Sequence, residues 1–223
     1  MIVVIGAIVA GGVGPVTVPA GLAARIALAA ASADGRVEVV ARIGDDPAGD
    51  AVLLALAAGR VGHVATLRDA AHATPAREAA EEPIDPDGDG ADGDGPGGDG
   101  PGGDGSGEEP ADASASSRPT LDAADVGLAM RYLDDYRVIV VVYPSDPGIV
   151  REVVAAADWA SAHLVVVTVP GQPAPGDLPA GSLVVAAADD ADGVGDVIGR
   201  YAAAVDAGTA PKAAFEATFS ASA

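Results

Sequence analysis

Residues 190–201 read DADGVGDVIGRY, a glycine-containing turn of the form D-x-x-G-x-G-D that runs directly into a predicted helix. Two glycines let the backbone approach a ligand closely, and the free N–H groups in the first turn of a helix, reinforced by its dipole, bind phosphate or a developing oxyanion. Asp196 ends this turn, so its carboxylate can act as a general base toward a hydroxyl group. The same residues also fit a helix that has Asp196 as its N-cap after a glycine turn.

Outward from this turn, the chain alternates apolar strands with helices. Ile2–Ala10 is a continuous run rich in valine and isoleucine, the pattern of a central parallel strand covered on both faces. The alternation predicts a doubly wound, mostly parallel α/β sheet, and ligands bind such sheets beyond the carboxyl ends of the strands. The predicted strands are 2–10, 37–43, 138–143, 164–169 and 182–187; the predicted helices are 20–31, 47–58, 121–134, 149–163 and 197–208, with loops at 11–19 and 170–181.

Single residues mark several of these boundaries. Asp46 and Pro47 fit the N-cap and the first residue of one helix, and Thr120 fits the N-cap of another. Trp159 lies on an alanine-rich helix and is expected in the core. The three histidines show no metal-ligand spacing, so solvent-facing or capping roles are predicted for His63, His72 and His163.

The composition limits the classes of function. Acidic residues outnumber basic ones 33 to 12, which gives a formal charge of −21, and Lys212 is the only lysine. Such a surface repels nucleic acid and anionic membranes, so neither is an expected partner. The absence of cysteine excludes disulfides, thiolate catalysis and zinc–thiolate sites. The acid-rich, lysine-poor composition resembles that of salt-adapted archaeal cytoplasmic proteins, and most carboxylates are expected to be solvated surface groups.

Residues 83–119 interrupt the alternating pattern. Their Asp-Gly and Pro-Gly-Gly-Asp-Gly repeats leave almost no apolar side chains, so the segment cannot bury enough surface to offset its ordering entropy. The sequence predicts a disordered acidic linker inside one domain, whose two parts are residues 1–82 and 120–223. Asp85 begins a D-x-D-x-D-G pattern like that of an EF-hand, but Pro96 stands where such a loop needs a bidentate glutamate, so no calcium site is expected.

The apolar beginning of the chain is predicted to be a buried strand rather than a signal peptide or a membrane span. It has no basic region before it, glycines and prolines interrupt residues 11–19, and Arg25 follows. A cytoplasmic location is therefore expected.

Residues 190–196 resemble the D-T-x-G-A-G-D motif of the ribokinase-like (PfkB) carbohydrate kinases. Residues 42–49, RIGDDPAG, resemble that family's V-G-x-D-x-x-G element, and residues 21–27, GLAARIA, lie where it has G-x-x-A-N-x-A. The resemblance implies a ribokinase-like fold and an ATP-dependent phosphotransferase that uses Mg²⁺ and a sugar-like substrate, and it allows a homodimer. The residues it implies are Asp196 as catalytic base, the amides of Gly193, Val194 and Gly195 as the anion hole, Asp190 as part of the motif, and Gly11, Arg25, Gly44 and Asp45 on the substrate side.

The sequence also departs from that family. Gly11 stands where the family has a substrate-gripping aspartate, and Arg25 replaces its substrate-contacting asparagine. Residues 11–19 are too few for the strands of the family's lid, so lid strands are predicted to be absent. The N-x-x-E element, which organises magnesium and phosphates in the family, is missing from the sequence.

Two functions follow from these observations. The first is a sugar kinase in which Asp196 accepts the proton of the substrate hydroxyl, because phosphoryl transfer relies on positioning and electrostatic stabilisation. The second is a catalytically degenerate relative that binds a nucleotide or a protein partner as a regulator. The missing substrate and magnesium elements favour the regulator, whereas the retained D-x-x-G-x-G-D turn favours the enzyme.

Overall fold

The structure, a computed structural model, describes residues 1–13, 16–77, 118–144, 146–189 and 193–219. The strands within these ranges are β1 (Ile2–Ile5), β2 (Val9–Val13), β3 (Val16–Ala20), β4 (Val37–Val40), β5 (Arg42–Gly44), β6 (Val61–Gly62), β7 (Leu67–Asp69), β8 (Ala76–Arg77), β9 (Val138–Val142), β10 (His163–Thr168) and β11 (Leu183–Ala186). The helices are α1 (Leu22–Ser32), α2 (Pro47–Ala58), α3 (Ala123–Tyr132), α4 (Pro147–Ala160), α5 (Val194–Asp206) and α6 (Pro211–Phe219).

A six-stranded parallel sheet forms the centre of the protein, in the order β11-β10-β9-β1-β4-β6. The middle strand β1 pairs with β4 and β9, so that Ile2 lies opposite both Val37 and Val138. From β1 the chain moves outward through β4 to β6, and it later moves the other way from β9 through β10 to β11. The winding direction therefore reverses between β1 and β9, where doubly wound sheets open a crevice at the carboxyl ends of their strands. The predicted doubly wound, mostly parallel α/β fold is confirmed.

Alternate residues of the central strands enter two separate cores. Ile2 and Val4 of β1 face one core, which α1, α2, α5 and α6 cover. Val3 and Ile5 face the other, which α3 and α4 cover. All four side chains are at most 1% exposed, which explains why β1 is apolar at every position and not at every second one.

The clearest sequence signal for a helix start is confirmed. Asp46 is the N-cap of α2, and its carboxylate accepts a hydrogen bond of 2.7 Å from the Gly49 N–H, while Pro47 is the first helical residue. Proline fits there because its missing N–H would have no partner in the helix. The helix ends at Ala58, as predicted.

The prediction of a loop over residues 11–19, and of no lid strands after the first strand, is wrong. The run Ile2–Ala10 breaks after β1, and β2 and β3 then form an antiparallel hairpin, with β8 added in parallel to β2. Pro19 is compatible with β3 because β3 is an edge strand of this small sheet, where no neighbour needs its missing N–H. Gly11 is required in β2 because a side chain there would come within 2.9 Å of the Ala20 Cβ.

Three other local predictions are corrected. Asp122, not Thr120, caps α3, through a reciprocal capping box with Asp125. Trp159 is 80% exposed, because it lies on the outer face of α4 and not on the face toward the sheet. His163 is half-buried and its Nε2 lies 2.8 Å from the Tyr201 hydroxyl, so it is neither a cap nor solvent-facing.

Most of the predicted acidic linker, with Asp85 and Pro96, lies outside the described residues. The division into residues 1–82 and 120–223 thus stays a prediction. None of the helices in the described ranges is long and apolar enough to cross a membrane.

Candidate functional site

The crevice between β1 and β9 is a small, mostly apolar cavity of about 110 Å³ at the carboxyl ends of the two strands. Gly6 and Ala7 line it from the end of β1, and Tyr143 and Pro144 from the end of β9. Gly6 lies close to the neighbouring elements: a side chain there would come within 3.1 Å of both Ala23 and Val142. The helices α1 and α5 both begin at this edge of the sheet, because α1 follows the β2–β3 hairpin and α5 follows β11.

The start of α5 has an open N-terminus. Gly193 is its N-cap in the left-handed conformation (φ 73°) and provides no side-chain cap. A side chain is sterically possible there, but the backbone conformation favours glycine. Val194 and Gly195 are the first two helical residues and Asp196 the third, so the alternative in which Asp196 is the N-cap is wrong. The N–H groups of this first turn therefore have no partner within the helix.

Asp196 is exposed, and no described residue forms an ion pair with its carboxylate. Its position in the first turn of α5 is favoured by the helix dipole. A solvent-facing carboxylate next to first-turn amides that no described residue bonds has the chemistry of a general base beside an anion site. Asp190, the first residue of the motif, lies outside the described residues.

Close packing of α5 on α1 brings Arg25 next to this turn. A side chain at Gly195 would come within 2.8 Å of the Arg25 Cβ, and one at Gly199 would come within 2.6 Å of the Ala29 Cβ. The second glycine of the motif thus has a structural role, because it permits the two helices to approach. Between the helices runs a groove of about 630 Å³, lined by Arg25, Leu28, Ala29, Ser32, Ala33, Asp196 and Arg200.

Asp189 connects three distant segments immediately before the motif. Its carboxylate accepts a 2.7 Å hydrogen bond from the N–H of Leu22, the first residue of α1, whose own N-cap Gly21 has no side chain to offer. The same carboxylate pairs with the Arg77 guanidinium of β8, and its backbone carbonyl accepts a hydrogen bond from Arg25. Gly11 lies opposite Arg77 in the small sheet, so this network joins Gly11, Arg25 and the motif.

Gly44 and Asp45 belong to a different cluster, at the start of α2. Asp45 forms an ion pair with Arg68 at 2.7 Å, and the Gly44 N–H donates to the Thr74 hydroxyl at 3.0 Å. A side chain at Gly44 would come within 2.4 Å of the Thr74 backbone nitrogen, so this glycine is required for packing. The structure gives these two residues no contact with Asp196.

Asp46 is the centre of that second cluster. Besides Gly49, both the N–H and the hydroxyl of Thr74 donate to its carboxylate at 2.7 Å. Burial alone would raise the pKa of Asp46, but these three hydrogen bonds, with help from the charge of Arg68, lower it below its usual value. The aspartate of the element at residues 42–49 is therefore a structural clamp between α2 and the segment around Thr74.

Arg42 forms the charged wall of the crevice between β1 and β9. Its guanidinium binds Asp125 of α3 through both carboxylate oxygens, at 2.7 and 2.8 Å, and reaches Asp69 at 3.4 Å. The hydrogen bond to Asp125, opposed by burial, raises the pKa of Arg42. The pKa of Asp69 is lowered by hydrogen bonds from the Ala71 N–H and from His72. This arginine is paired already and holds α3 onto the rest of the domain.

The described residues contain no group of three or more histidines, aspartates or glutamates able to hold a metal ion. Burial lowers the pKa of His163 and raises that of Tyr201, so both groups of this hydrogen-bonded pair stay neutral over a wide pH range. The pair packs at the amino end of β10, away from the open start of α5.

Sequence reasoning missed Asp189 and Arg77 as part of the site. Asp189 had one available signal, because it lies just past the carboxyl end of a predicted strand, where doubly wound sheets bind ligands. Arg77 had none, since its partner is 112 residues away in the chain.

The sequence matches no known family profile and no curated protein. The fold is similar to solved structures of sugar kinases. One of them is a protein assigned as ribokinase II from E. coli, in its apo form. It superposes on this chain with a TM-score of 0.51 and 13% sequence identity, and the match covers 74% of this chain and 52% of the E. coli protein. A fructokinase from Vibrio cholerae O395 with fructose, ADP and calcium bound has a TM-score of 0.46 and 15% identity over 74% and 49%.

A fructokinase from Xylella fastidiosa with bound ATP has a TM-score of 0.48 and 12% identity over 98% of this chain and 68% of its own. The chain spans about half the length of the E. coli and Vibrio proteins. At such identities the similarity concerns the fold, which is the ribokinase-like α/β fold.

Proposed function

We propose that the chain is a ribokinase-like phosphotransferase that moves a phosphoryl group from ATP to a hydroxyl group of a carbohydrate-like acceptor. The observation that carries the proposal is the exposed carboxylate of Asp196, which pairs with no described residue, in the first turn of a helix whose N-cap Gly193 provides no side-chain cap. Fold alone does not give an activity, so the assignment depends on this turn.

The chemistry assigned to the turn is an in-line displacement. The acceptor oxygen bonds to the γ-phosphorus, and the bond from that phosphorus to the β,γ-bridging oxygen breaks, its electron pair leaving with ADP. The acceptor proton passes to the Asp196 carboxylate. Charge on the transferred phosphoryl oxygens faces the amides of Gly193, Val194 and Gly195, at the N-cap and in the first turn of α5, which stabilise it electrostatically.

No group of three or more acidic or histidine side chains among the described residues could hold Mg²⁺ by itself. We therefore assign it no ligands in this chain. Bound Mg²⁺ neutralises phosphate charge, and in kinases it is commonly held through the phosphates with few carboxylates.

The second candidate is a regulator that binds a nucleotide or a partner without transfer. Gly11 supports it, because it offers no carboxylate on the substrate side, and so does Arg25, because it stands where the resembled family has a substrate-contacting asparagine. If the regulator binds a nucleotide, the two candidates share nucleotide binding and differ in turnover.

The deciding experiment is the substitution Asp196→Asn. If Asp196 is the base, phosphoryl transfer from ATP to a panel of sugars should fall by about 10²- to 10⁴-fold. ATP affinity should be kept or increased, because a negative charge beside the phosphates is removed. The exposed Asp158 of α4 supplies the control, and Asp158→Asn should change neither quantity.

Three results would separate the candidates. ATP binding without transfer to any sugar supports the regulator. Transfer that Asp196→Asn leaves intact would assign the proton to another group. A wild-type chain that binds neither ATP nor phosphate would make the glycine turn purely structural.

A further inference from the structure

We infer that the acceptor carries an anionic group, a phosphate ester or a carboxylate, which binds Arg25 and Arg200 in the groove between α1 and α5. This inference rests on the proposed function, since it uses Asp196 as the group that faces the acceptor hydroxyl. The groove has a volume of about 630 Å³, within the range of about 300–1,000 Å³ that small-molecule sites occupy.

The two arginines lie on both sides of Asp196. Asp196 and Arg200 are four residues apart on α5, so their side chains leave the same face of the helix with Cβ atoms roughly 5–6 Å apart. Arg25 enters the groove from α1, where its Cβ touches the α5 backbone at Gly195. An acceptor in the groove can therefore present a hydroxyl group to Asp196 and an anion to the two guanidinium groups.

Neither guanidinium is neutralised by a carboxylate in the described part of the chain. Arg25 donates to a backbone carbonyl, that of Asp189, and its Nε is buried without a hydrogen-bond partner. Arg200 is exposed and has no described ion pair. By contrast, Arg42, Arg68 and Arg77 are all bound to aspartates. The groove thus holds two guanidinium groups and one carboxylate, that of Asp196, with no ion pair among them in the described part of the chain.

The negative net charge of the protein indicates which kind of acceptor Arg25 and Arg200 bind. With 33 acidic and 12 basic residues, the chain repels anions in general. A neutral sugar would need no cation, whereas an anionic acceptor needs a local positive potential to overcome that repulsion. Guanidinium groups also match phosphate and carboxylate geometry through paired N–H donors.

The test compares neutral and anionic forms of the same sugars. Fructose and fructose 6-phosphate, glucose and glucose 6-phosphate, and ribose and ribose 5-phosphate are titrated into the full chain at one salt concentration. Binding is read by calorimetry and by thermal shift, with inorganic phosphate and ATP alone as separate arms. The variants are Arg25→Gln and Arg200→Gln, and Arg131→Gln on α3 is the control because Arg131 is exposed and outside the groove.

We expect at least one phosphate ester to bind more tightly than its neutral partner. Each groove variant should weaken that binding by about 10-fold, the loss typical of a hydrogen bond to a charged group, while Arg131→Gln leaves it unchanged. Arg200→Lys should recover part of the loss, because it restores the charge without the paired donors.

Four outcomes would overturn the inference. Neutral sugars that bind as well as their phosphate esters remove the need for an anion, yet leave the proposed function standing if transfer still depends on Asp196. Losses confined to the ATP or inorganic phosphate arms would assign the arginines to the phosphoryl donor. A lower melting temperature without any change in binding would make Arg25 and Arg200 surface groups that only support α1 and α5. Equal losses in Arg131→Gln would show a general charge effect.

Discussion

Gly199→Ala should destabilise the protein although alanine is the better helix former. Gly199 lies in the middle of α5, and an added Cβ would come within 2.6 Å of the Ala29 Cβ, 2.7 Å of the Ile26 carbonyl oxygen and 2.8 Å of the Ala30 nitrogen. Two of these atoms are α1 backbone, which cannot rotate away, so the helices must separate. Overpacking of this kind costs about 2 kcal/mol, against about 1 kcal/mol gained in helix propensity, which leaves a net loss of about 1 kcal/mol.

Gly127→Ala is the matched control in α3. Its added Cβ would come within 2.9 Å of a Glu152 carboxylate oxygen, the free end of a flexible side chain that can move aside. The variant should therefore keep the propensity gain of about 1 kcal/mol. The two alanine variants should differ by about 2 kcal/mol, or roughly 4–8 °C in melting temperature for a domain of this size.

The assay is thermal and urea denaturation of both variants in the same buffer. If Gly199→Ala is as stable as Gly127→Ala, the contact between α1 and α5 is looser than described and the glycine is not required. Because the same contact fixes Arg25 beside Asp196, the affinity of Gly199→Ala for an anionic acceptor should also fall.

Two further predictions concern pH and salt. The folded-state pKa of Asp46 is lowered, so the stability that its carboxylate contributes is present above the unfolded pKa of about 4 and is lost as the pH falls through the folded value. Asp46→Asn should therefore lower the melting temperature at pH 7 and make the melting temperature fall less steeply at acid pH. If the melting temperatures of the variant and the wild type fall equally steeply at acid pH, the prediction is wrong. At a formal charge of −21, the free energy of unfolding should rise as the screening length shortens from about 10 Å at 0.1 M salt to about 3 Å at 1 M, and a flat midpoint would refute salt adaptation.

The elements predicted correctly are those with local causes. The start of α2 follows from Asp46 and Pro47, whose cap and fixed φ act within one turn, and it was predicted to the residue. Five of the six strands of the central sheet followed from uninterrupted apolar runs, whereas the two-residue edge strand β6 was not predicted. The hairpin of β2 and β3 was missed because glycine and proline normally interrupt strands. Here Gly11 lies in β2 because only a residue without a side chain fits beside Ala20, and Pro19 lies in β3 because β3 is an edge strand.

The site was predicted only in part, because its remaining geometry depends on distant residues. The glycine turn and Asp196 could be named from the sequence. The steric role of Gly195 could not, since it depends on the position of α1. Trp159 was misplaced because an alanine-rich helix gives little indication of which face meets the sheet, and α4 turns it to solvent.

The bond from Leu22 to Asp189 has a consequence for the order of events during synthesis. The first helix of the chain receives its N-terminal hydrogen-bond acceptor from a residue 167 positions later. At a translation rate of about 5–20 residues per second, α1 waits roughly 10–30 s for that acceptor to be made. Throughout that interval the amino end of α1 lacks the Asp189 carboxylate, so the N–H of Leu22 can form its final hydrogen bond only after the last strand of the sheet has been made.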